Sequence, residues 1–503
     1  MFDRQEIAYT FIVNSIASLS GRVMRNWIAF GLLIFVTAAA VNQSPGQQQV
    51  ATRNDVFTPK TSEARAVVAQ AKATALEIKN DFQRGLALDE IGAAEAKVGD
   101  LDAAVKTASQ AYPHTMATLT QIGEQLGDAN DGSKTQSIVA KLSGGGASTV
   151  FAFISRRQAE KGNIEEALRT TAQIQAPEVR SDALEWIAQQ QAAGGDYSAA
   201  RKTLARARSA NPTDHLTADE VEVMVVAAQL SRGDTRAARA TIASLKSAES
   251  RSIAMLSGAE ELLKKADKTN ATAWLEDALK QIPAGAAFDF SRYLAIPYQV
   301  RLGQKERAMQ AAGRLQSELR VKGYNAVAVT CAEMKDVACV NAALEKMQSV
   351  ASVGGEAEEP SDFEAKLMIL NVTAALIDNG QFDAAVRLLA TVEQHSDDVS
   401  FKSGIEPEAQ LQRVFILVQQ DRFDDARSLA LKMRPDSVSD IQRGSALRLT
   451  SLFQTRKNGV LAAQPWASPL ADAEDRAYAL LGIAQALLEI GEAKLPYSAI
   501  QIH

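Results

Sequence analysis

Apolar and small residues recur along this chain at the spacing of amphipathic helices, and the runs break repeatedly on a glycine followed by a short polar residue. The clearest instance is Arg180 to Pro212, RSDALEWIAQQQAAGGDYSAARKTLARARSANP. It predicts a helix, a tight turn at Gly194-Gly195-Asp196, a second helix with small residues on one face, and a stop at Asn211-Pro212. Such a helical hairpin is about as long as one solenoid repeat. Equivalent turns fall at Gly99, Gly162, Gly195, Gly233, Gly303, Gly380 and Asp421, each taken as position zero. Five residues later every copy has alanine: Ala104, Ala167, Ala200, Ala238, Ala308, Ala385 and Ala426. Twelve residues after the turn stand Ala111, Ile174, Ala207, Leu245, Leu315, Val392 and Met433, on the same face of the second helix. Three residues before it are Ala96, Ala159, Ala192, Leu230, Val300, Ile377 and Val418. Five residues above these come Ile91, Ile154, Ile187, Val225, Ala295 and Val372, with Arg413 as the exception.

The invariant alanine has a physical reason. Two helices of a short hairpin reach the lower end of the usual interaxial distance, about 8 Å, only where the crossing carries a small side chain. Glycine at the turn supplies a C-cap with positive φ, and the Asp, Asn or Gln that often follows it suits the start of the next helix. Weaker copies are expected to turn at Gly127, Asp267, Asp336, Gly459 and Gly491, giving eleven or twelve hairpins. Pro113, Pro177, Pro212, Pro283 and Pro435 fall near the ends of second helices, where proline prevents continuation.

This spacing resembles the tetratricopeptide repeat (TPR), whose turn, two small second-helix positions and terminal proline are matched by Gly195-Asp196-Tyr197, Ala200, Ala207 and Pro212. The resemblance covers roughly residues 63 to 495. It departs from the family in lacking most of the large aromatics near the start of the first helix, and the repeat length drifts. It implies an all-α, right-handed α-solenoid that presents a concave groove to another protein. In members that grip a C-terminal carboxylate, basic residues project from first helices into that groove. The matching position here, six residues before the turn, holds Ala93, Arg156, Gln189, Ala227, Pro297, Ala374 and Phe415, and only Arg156 is basic. The pattern disfavours a carboxylate clamp and favours a groove of mixed apolar and amide character. An extended peptide or amphipathic helix suits such a groove, with Arg156, Gln189 and Phe415 as candidate contacts.

Two stretches interrupt the array. Residues 143 to 148, SGGGAS, read as a long loop. Residues 350 to 362, VASVGGEAEEPSD, combine glycine, acid and proline without an apolar period, and so predict a linker between blocks 63–349 and 363–503. Residues 436 to 475 are the least repeat-like part of the second block, and Leu495 to His503 leave helical spacing as an extended tail.

At the N-terminus, Arg22 and Arg25 precede the apolar run Trp27 to Val41, which exits on Ala38-Ala39-Ala40. This is the layout of a secretory signal cleaved after about Ala40, with Met24 as an alternative start. An uncleaved membrane anchor at 27–41 is the other reading. Both place the bulk of the chain outside the cytoplasm, periplasmic or extracellular, after a Gln-, Ser-, Pro- and Thr-rich linker at 42–62.

With 54 Lys plus Arg against 60 Asp plus Glu, the formal charge of −6 gives no footprint for nucleic acid or an anionic membrane surface. Aromatics are only 6%, so the core must be built from Ala, Leu, Ile and Val. Cys331 and Cys339 flank the expected turn at Asp336, and a disulfide is expected there, two buried thiols being the alternative. His114, His215, His395 and His503 are isolated, and no metal or cofactor is expected. Gly144-Gly145-Gly146 lacks the Lys-Ser/Thr pair of a phosphate loop. Glu165-Glu166, Asp424-Asp425 and Glu260-Glu261 read as solvated helix faces. The function expected is a non-catalytic interaction scaffold. An envelope enzyme or accessory subunit carried on a helical platform, and a self-associating structural protein, are the alternatives.

Overall fold

In a computed structural model the described residues are 59–490, apart from 143–144, 213–217, 284, 286–287, 354–361, 394–404 and 434–438. The apolar run Trp27 to Val41, nearly all of the linker at 42–62 and the tail after 490 lie outside them. Residues 58–496 form one compact unit. Among the described residues there are twenty-four α-helices and no strand, and none of the helices is long and apolar enough to cross a membrane.

The first helix, α1 (Pro59–Ala75), stands apart from the pairs that follow. These are α2 (Asp81–Lys97) with α3 (Leu101–Ala111), α4 (Met116–Ala129) with α5 (Gly132–Val139), α6 (Gly146–Glu160) with α7 (Ile164–Thr171), and α8 (Pro177–Ala193) with α9 (Tyr197–Ala210). Next come α10 (Ala218–Ser231) with α11 (Thr235–Ser244), α12 (Ala248–Lys264) with α13 (Lys268–Gln281), α14 (Asp289–Arg301) with α15 (Lys305–Gly313), and α16 (Ser317–Glu333) with α17 (Val337–Val353). The last are α18 (Asp362–Asp378) with α19 (Phe382–Glu393), α20 (Glu406–Gln419) with α21 (Phe423–Lys432), α22 (Ser439–Asn458) with α23 (Val460–Ala467), and finally α24 (Ala473–Leu487). The chain is a helical repeat protein.

The turns form for the reason the sequence suggested. Gly99, Gly162, Gly195, Gly233, Gly303 and Gly380 have φ between 73° and 92°, and Asp421 has φ 61°. After each, the next amide bonds back to a carbonyl five residues earlier, as Asp100 N–H does to Glu95 O and Asp196 N–H to Gln191 O, closing a Schellman cap. Asp100, Asp131, Asp196 and Asp267 then accept from the third amide of the following helix. All seven expected alanines are fully buried. The apolar positions three before and twelve after each turn are buried as well.

Three weaker copies are corrected in register. The left-handed residues are Asn130, Ala266 and Lys335, so Asp267 and Asp336 start the next helix instead of making the turn. Gly127 is no turn at all: it is buried in α4, where a Cβ would stand 2.8 Å from Cβ of Arg157. Gly459 does turn, at φ 83°, whereas Gly491 lies outside the described residues and Glu489, at φ 54°, ends α24. Pro177 opens α8 at its first turn instead of closing α7.

Residues 350–362 do not separate two blocks. Helix α17 runs to Val353, α18 starts at Asp362, and α16 packs on α18 as other neighbouring first helices pack. Helix α1 begins at Pro59, inside the stretch expected to be linker. Residues 439 to 475 fold as the pair α22 and α23 and the start of α24, so this stretch belongs to the repeat array.

The even-numbered helices α2 to α24 form one layer in which each packs on the next, while the odd-numbered helices pack on the even-numbered helices beside them, most of them chiefly on their own partners, α5 and α15 excepted. Glycines set the close approaches within that layer. A Cβ on Gly92 would meet Thr118 Oγ1 at 2.4 Å, one on Gly444 would meet Tyr478 Cδ2 at 2.5 Å, and one on Gly482 would meet Arg448 O at 2.2 Å. The row then closes. Helix α24 packs against α1 and against α2, so the first described helix serves as second helix to the last described one. Twelve hairpins result, eleven sequential and one assembled from the two ends of the unit. In a closed circuit the layer with helix-to-helix contact all round is the shorter, inner one.

Candidate functional site

Along the inner layer the same accessible position recurs from hairpin to hairpin among the described residues. Six residues before each turn, Ala93, Gln189, Ala227, Pro297 and Ala374 are half-exposed and Arg156 is exposed, although the positions three before and eight before are buried. One turn of helix therefore separates a core-facing row from an accessible one. Arg156 and Gln189 stand on the neighbouring helices α6 and α8. The Arg156 guanidinium lies 3.8 Å from the centroid of the Trp186 ring and its Nε donates to Glu160 Oε1 at 3.0 Å. That stack holds the cation flat beside the accessible row.

Phe415 is not part of this surface. It is 2% exposed and meets the ring of Phe453 edge-on at 5.7 Å between centroids, so it belongs to the core between α20 and α22. The helix is rotated relative to its counterparts. Half-exposed Arg413 and Leu417 occupy the outlying face, and Gln412, Val414 and Phe415 are buried. The departure of Arg413 from the apolar pattern was the signal of that rotation.

Ion pairs stitch neighbouring inner helices together. Asp128 of α4 accepts from Arg157 Nε at 2.7 Å and pairs with Lys161 Nζ at 2.8 Å. Partial burial works against its charge, but the two cations outweigh it and hold the carboxyl below its ordinary value. Arg301 of α14 bridges Glu260 of α12 at 2.9 Å and Glu333 of α16 at 3.0 Å. Burial again opposes the charge, and the two carboxylates raise the guanidinium above its ordinary value. Glu260 is thus committed to a bridge, and Glu261 is 8% exposed and paired with Lys264. Neither is a freely solvated acid. Glu165, Glu166, Asp424 and Asp425 do sit in first helical turns as expected.

A second set of polar residues lies inside the hairpins and was not anticipated. Gln158 Oε1 accepts from Thr170 Oγ1 at 2.8 Å, Gln229 Oε1 from Thr241 Oγ1 at 3.1 Å, and Gln454 Oε1 from Trp466 Nε1 at 2.8 Å. Thr107 donates to Glu95 in the same way. Each pair is twelve residues apart and crosses from first to second helix, a spacing that was present in the sequence as a polar partner to the apolar face. In the first hairpin Lys72 of α1 completes the group, 2.9 Å from Glu95 Oε1.

Cys331 and Cys339 form a disulfide across the turn at Lys335, with Cα atoms 5.8 Å apart. His114 packs edge-on against Phe82, 4.7 Å between ring centroids, and His215, His395 and His503 lie outside the described residues. No group of three or more His, Cys, Asp or Glu suited to a metal ion occurs among the described residues. Between α11, α12 and α13, Arg239, Trp274, Asp277, Arg251 and Gln281 line a cleft of about 280 Å³. Its arginines are engaged, Arg239 over the Trp274 ring at 4.8 Å and Arg251 with the Leu245 carbonyl at 2.8 Å.

Neither the profiles of known protein families nor the curated proteins give a match to this chain. Twenty-four chains among the solved structures do match. One is described as a circular tandem repeat protein with novel repeat topology and enhanced subunit contact surfaces. It is 12% identical, the match covers 85% of this chain and 96% of that one, and the TM-score is 0.14. A likeness at that score adds nothing to what the helices of this chain themselves display.

Proposed function

We propose that this protein is an exported, TPR-like scaffold whose inner helix layer binds a segment of another protein. The observation that carries the reading is the accessible row six residues before the turns, which continues across neighbouring hairpins beside a buried row. Its residues are alanines, a proline, Gln189 and the stacked Arg156. An extended peptide or amphipathic helix offers the matching chemistry, with apolar anchors against the small residues and polar groups for the amide and the cation. Export rests on the basic residues, apolar run and small-residue exit of residues 22 to 41.

Site-specific photocrosslinking tests the site. A crosslinker at Gln189 should trap a partner in the source cell. One at Arg206, exposed on the outer helix α9, should not. Capture from Arg206 with none from Gln189 would move the binding surface to the outer layer.

A further inference from the structure

Everywhere else in the circuit, adjoining hairpins are joined by the chain itself, but between α24 and the start of the array nothing covalent crosses. The joint consists of the buried apolar residues of α1, Ala64, Val67, Val68 and Ala71, packed on a helix whose own Leu480, Leu481, Ile483 and Ala484 are buried. A few polar contacts frame it. Arg476 pairs with Glu77 at 2.6 Å, Gln485 Nε2 donates to Glu90 Oε2 at 3.2 Å, and Gln70 Nε2 reaches Ser468 Oγ at 3.5 Å. On the other side α1 is fastened to its own neighbours, through the pair of Lys72 with Glu95 and through Arg65 donating to the Val98 carbonyl at 2.9 Å. Helix α1 makes its larger contact with α24, but the chain ties it to α2, so its joint with α24 is the one in the circuit that no covalent link crosses.

We propose that this joint is an exchangeable interface whose partner is a second copy of the chain. An opened circuit exposes two complementary apolar surfaces, and a second opened copy presents the same pair. Reciprocal docking of each α1 on the other copy's α24 restores every contact of the closed form. The two joints are then related by a two-fold axis, which closes the assembly and stops it growing into a fibre. Because the contacts are identical, the balance between single and paired circuits shifts toward pairs as protein concentration rises.

The test uses full chains bearing one cysteine each, Gln70→Cys in one and Ser468→Cys in a differently tagged other. The native pair Cys331–Cys339 stays bridged. The two are unfolded together in denaturant, refolded at several concentrations and treated with a short bismaleimide. A chain carrying both substitutions should be linked within itself at low concentration, which checks the joint. The mixed pair should give a linked dimer whose yield rises with concentration. A Gln70→Cys chain mixed with an Arg206→Cys chain should give none. Self-linking of the double variant with no linked dimer from the mixed pair at any concentration would overturn exchange. Linked dimer from the Arg206 mixture at the same yield would overturn it too.

Discussion

Arg476 of α24 donates through Nη2 to Glu77 Oε2 at 2.6 Å, joining residues 399 positions apart, while its Nη1 caps the carbonyl of Leu470 at 2.6 Å. The same arginine thus does in the last hairpin what Arg84 and Arg251 do in others, where each donates to a carbonyl six residues earlier at 2.9 and 2.8 Å. Special to the joint are the Glu77 contact and a longer one from Nε to Thr74 Oγ1 at 3.5 Å. Because the Glu77 side chain is 62% exposed, Glu77→Lys should lower stability by less than about 1 kcal/mol, and less still in high salt. Val68→Asp puts a charge into the buried face of α1 and should cost about 3 kcal/mol or more. Denaturant midpoints of the two variants distinguish a joint held by packing from one held by charge.

Lys72 and Glu95 are 19% and 8% exposed, so their pair is largely withdrawn from water. Removing the cation alone, as in Lys72→Met, leaves a buried carboxylate without its partner and should cost about 3 kcal/mol. Lys72→Met with Glu95→Gln should recover much of the loss, since the amide can still accept from Thr107 as Gln158 and Gln229 accept from their threonines. Thermal unfolding of the single and double variants checks both values.

Small residues at the helix crossings can be ranked before any measurement. Gly162 has φ 80° and nothing within 4 Å of the place an added methyl would take, so Gly162→Ala should cost about 1 to 2 kcal/mol for the backbone alone. A methyl on Gly482 would meet the Arg448 carbonyl at 2.2 Å, and α22 and α24 would have to part, so Gly482→Ala should cost more. Ala200→Trp overfills a fully buried crossing and should cost several kcal/mol. In a repeat array that damage stays near its source, so hydrogen exchange should rise over residues 177–210 and their immediate neighbours first.

Glu408 is 2% exposed, and its carboxyl accepts from Gln412 at 3.4 Å and from Gln442 at 3.2 Å. Burial pushes it up to about 7 from an ordinary 4.5, and the bond from Gln412 only partly offsets this. The folded chain therefore keeps a proton that the unfolded chain releases between pH 4.5 and 7. Stability from this group is fully present below pH 4.5, falls as pH rises to about 7 and is then level. Glu408→Gln should flatten that interval of the stability profile. An unchanged slope in the variant would assign the pH dependence elsewhere.

Reduction of Cys331–Cys339 frees a loop with a sequence separation of 8. Loop-closure entropy for so short a span is about 2 to 3 kcal/mol, so reductant should lower the melting temperature while leaving the helix signal at 20 °C or below about unchanged.

The turns and hairpin crossings were legible because each imposes a local demand. Positive φ selects glycine at Gly99 or Gly195, and close approach selects alanine at Ala104 or Ala200. Where other residues adopt the left-handed conformation, as Asn130, Ala266 and Lys335 do, the turn was displaced by one to three residues. The accessible row was legible at Arg156 and Gln189 and failed at Phe415, where the helix is rotated and the aromatic serves the core. Closure was not legible at all. The apolar face of α1, with Ala64, Val67, Val68 and Ala71, reads the same whichever helix it covers, and its partner lies about 400 residues away. Close packing within the inner layer was missed too, because Gly92, Gly444 and Gly482 have ordinary helical φ and carry no turn signature.

A distance between spin labels at Gln70→Cys and Ser468→Cys in one dilute chain tests the closed circuit most directly. Contact between α1 and α24 predicts a single short distance, on the order of 10 to 20 Å for helices packed at about 8 to 10 Å. An open row of twelve hairpins at that spacing would place the labels on the order of 90 Å apart, and a distribution dominated by such long distances would contradict the closure.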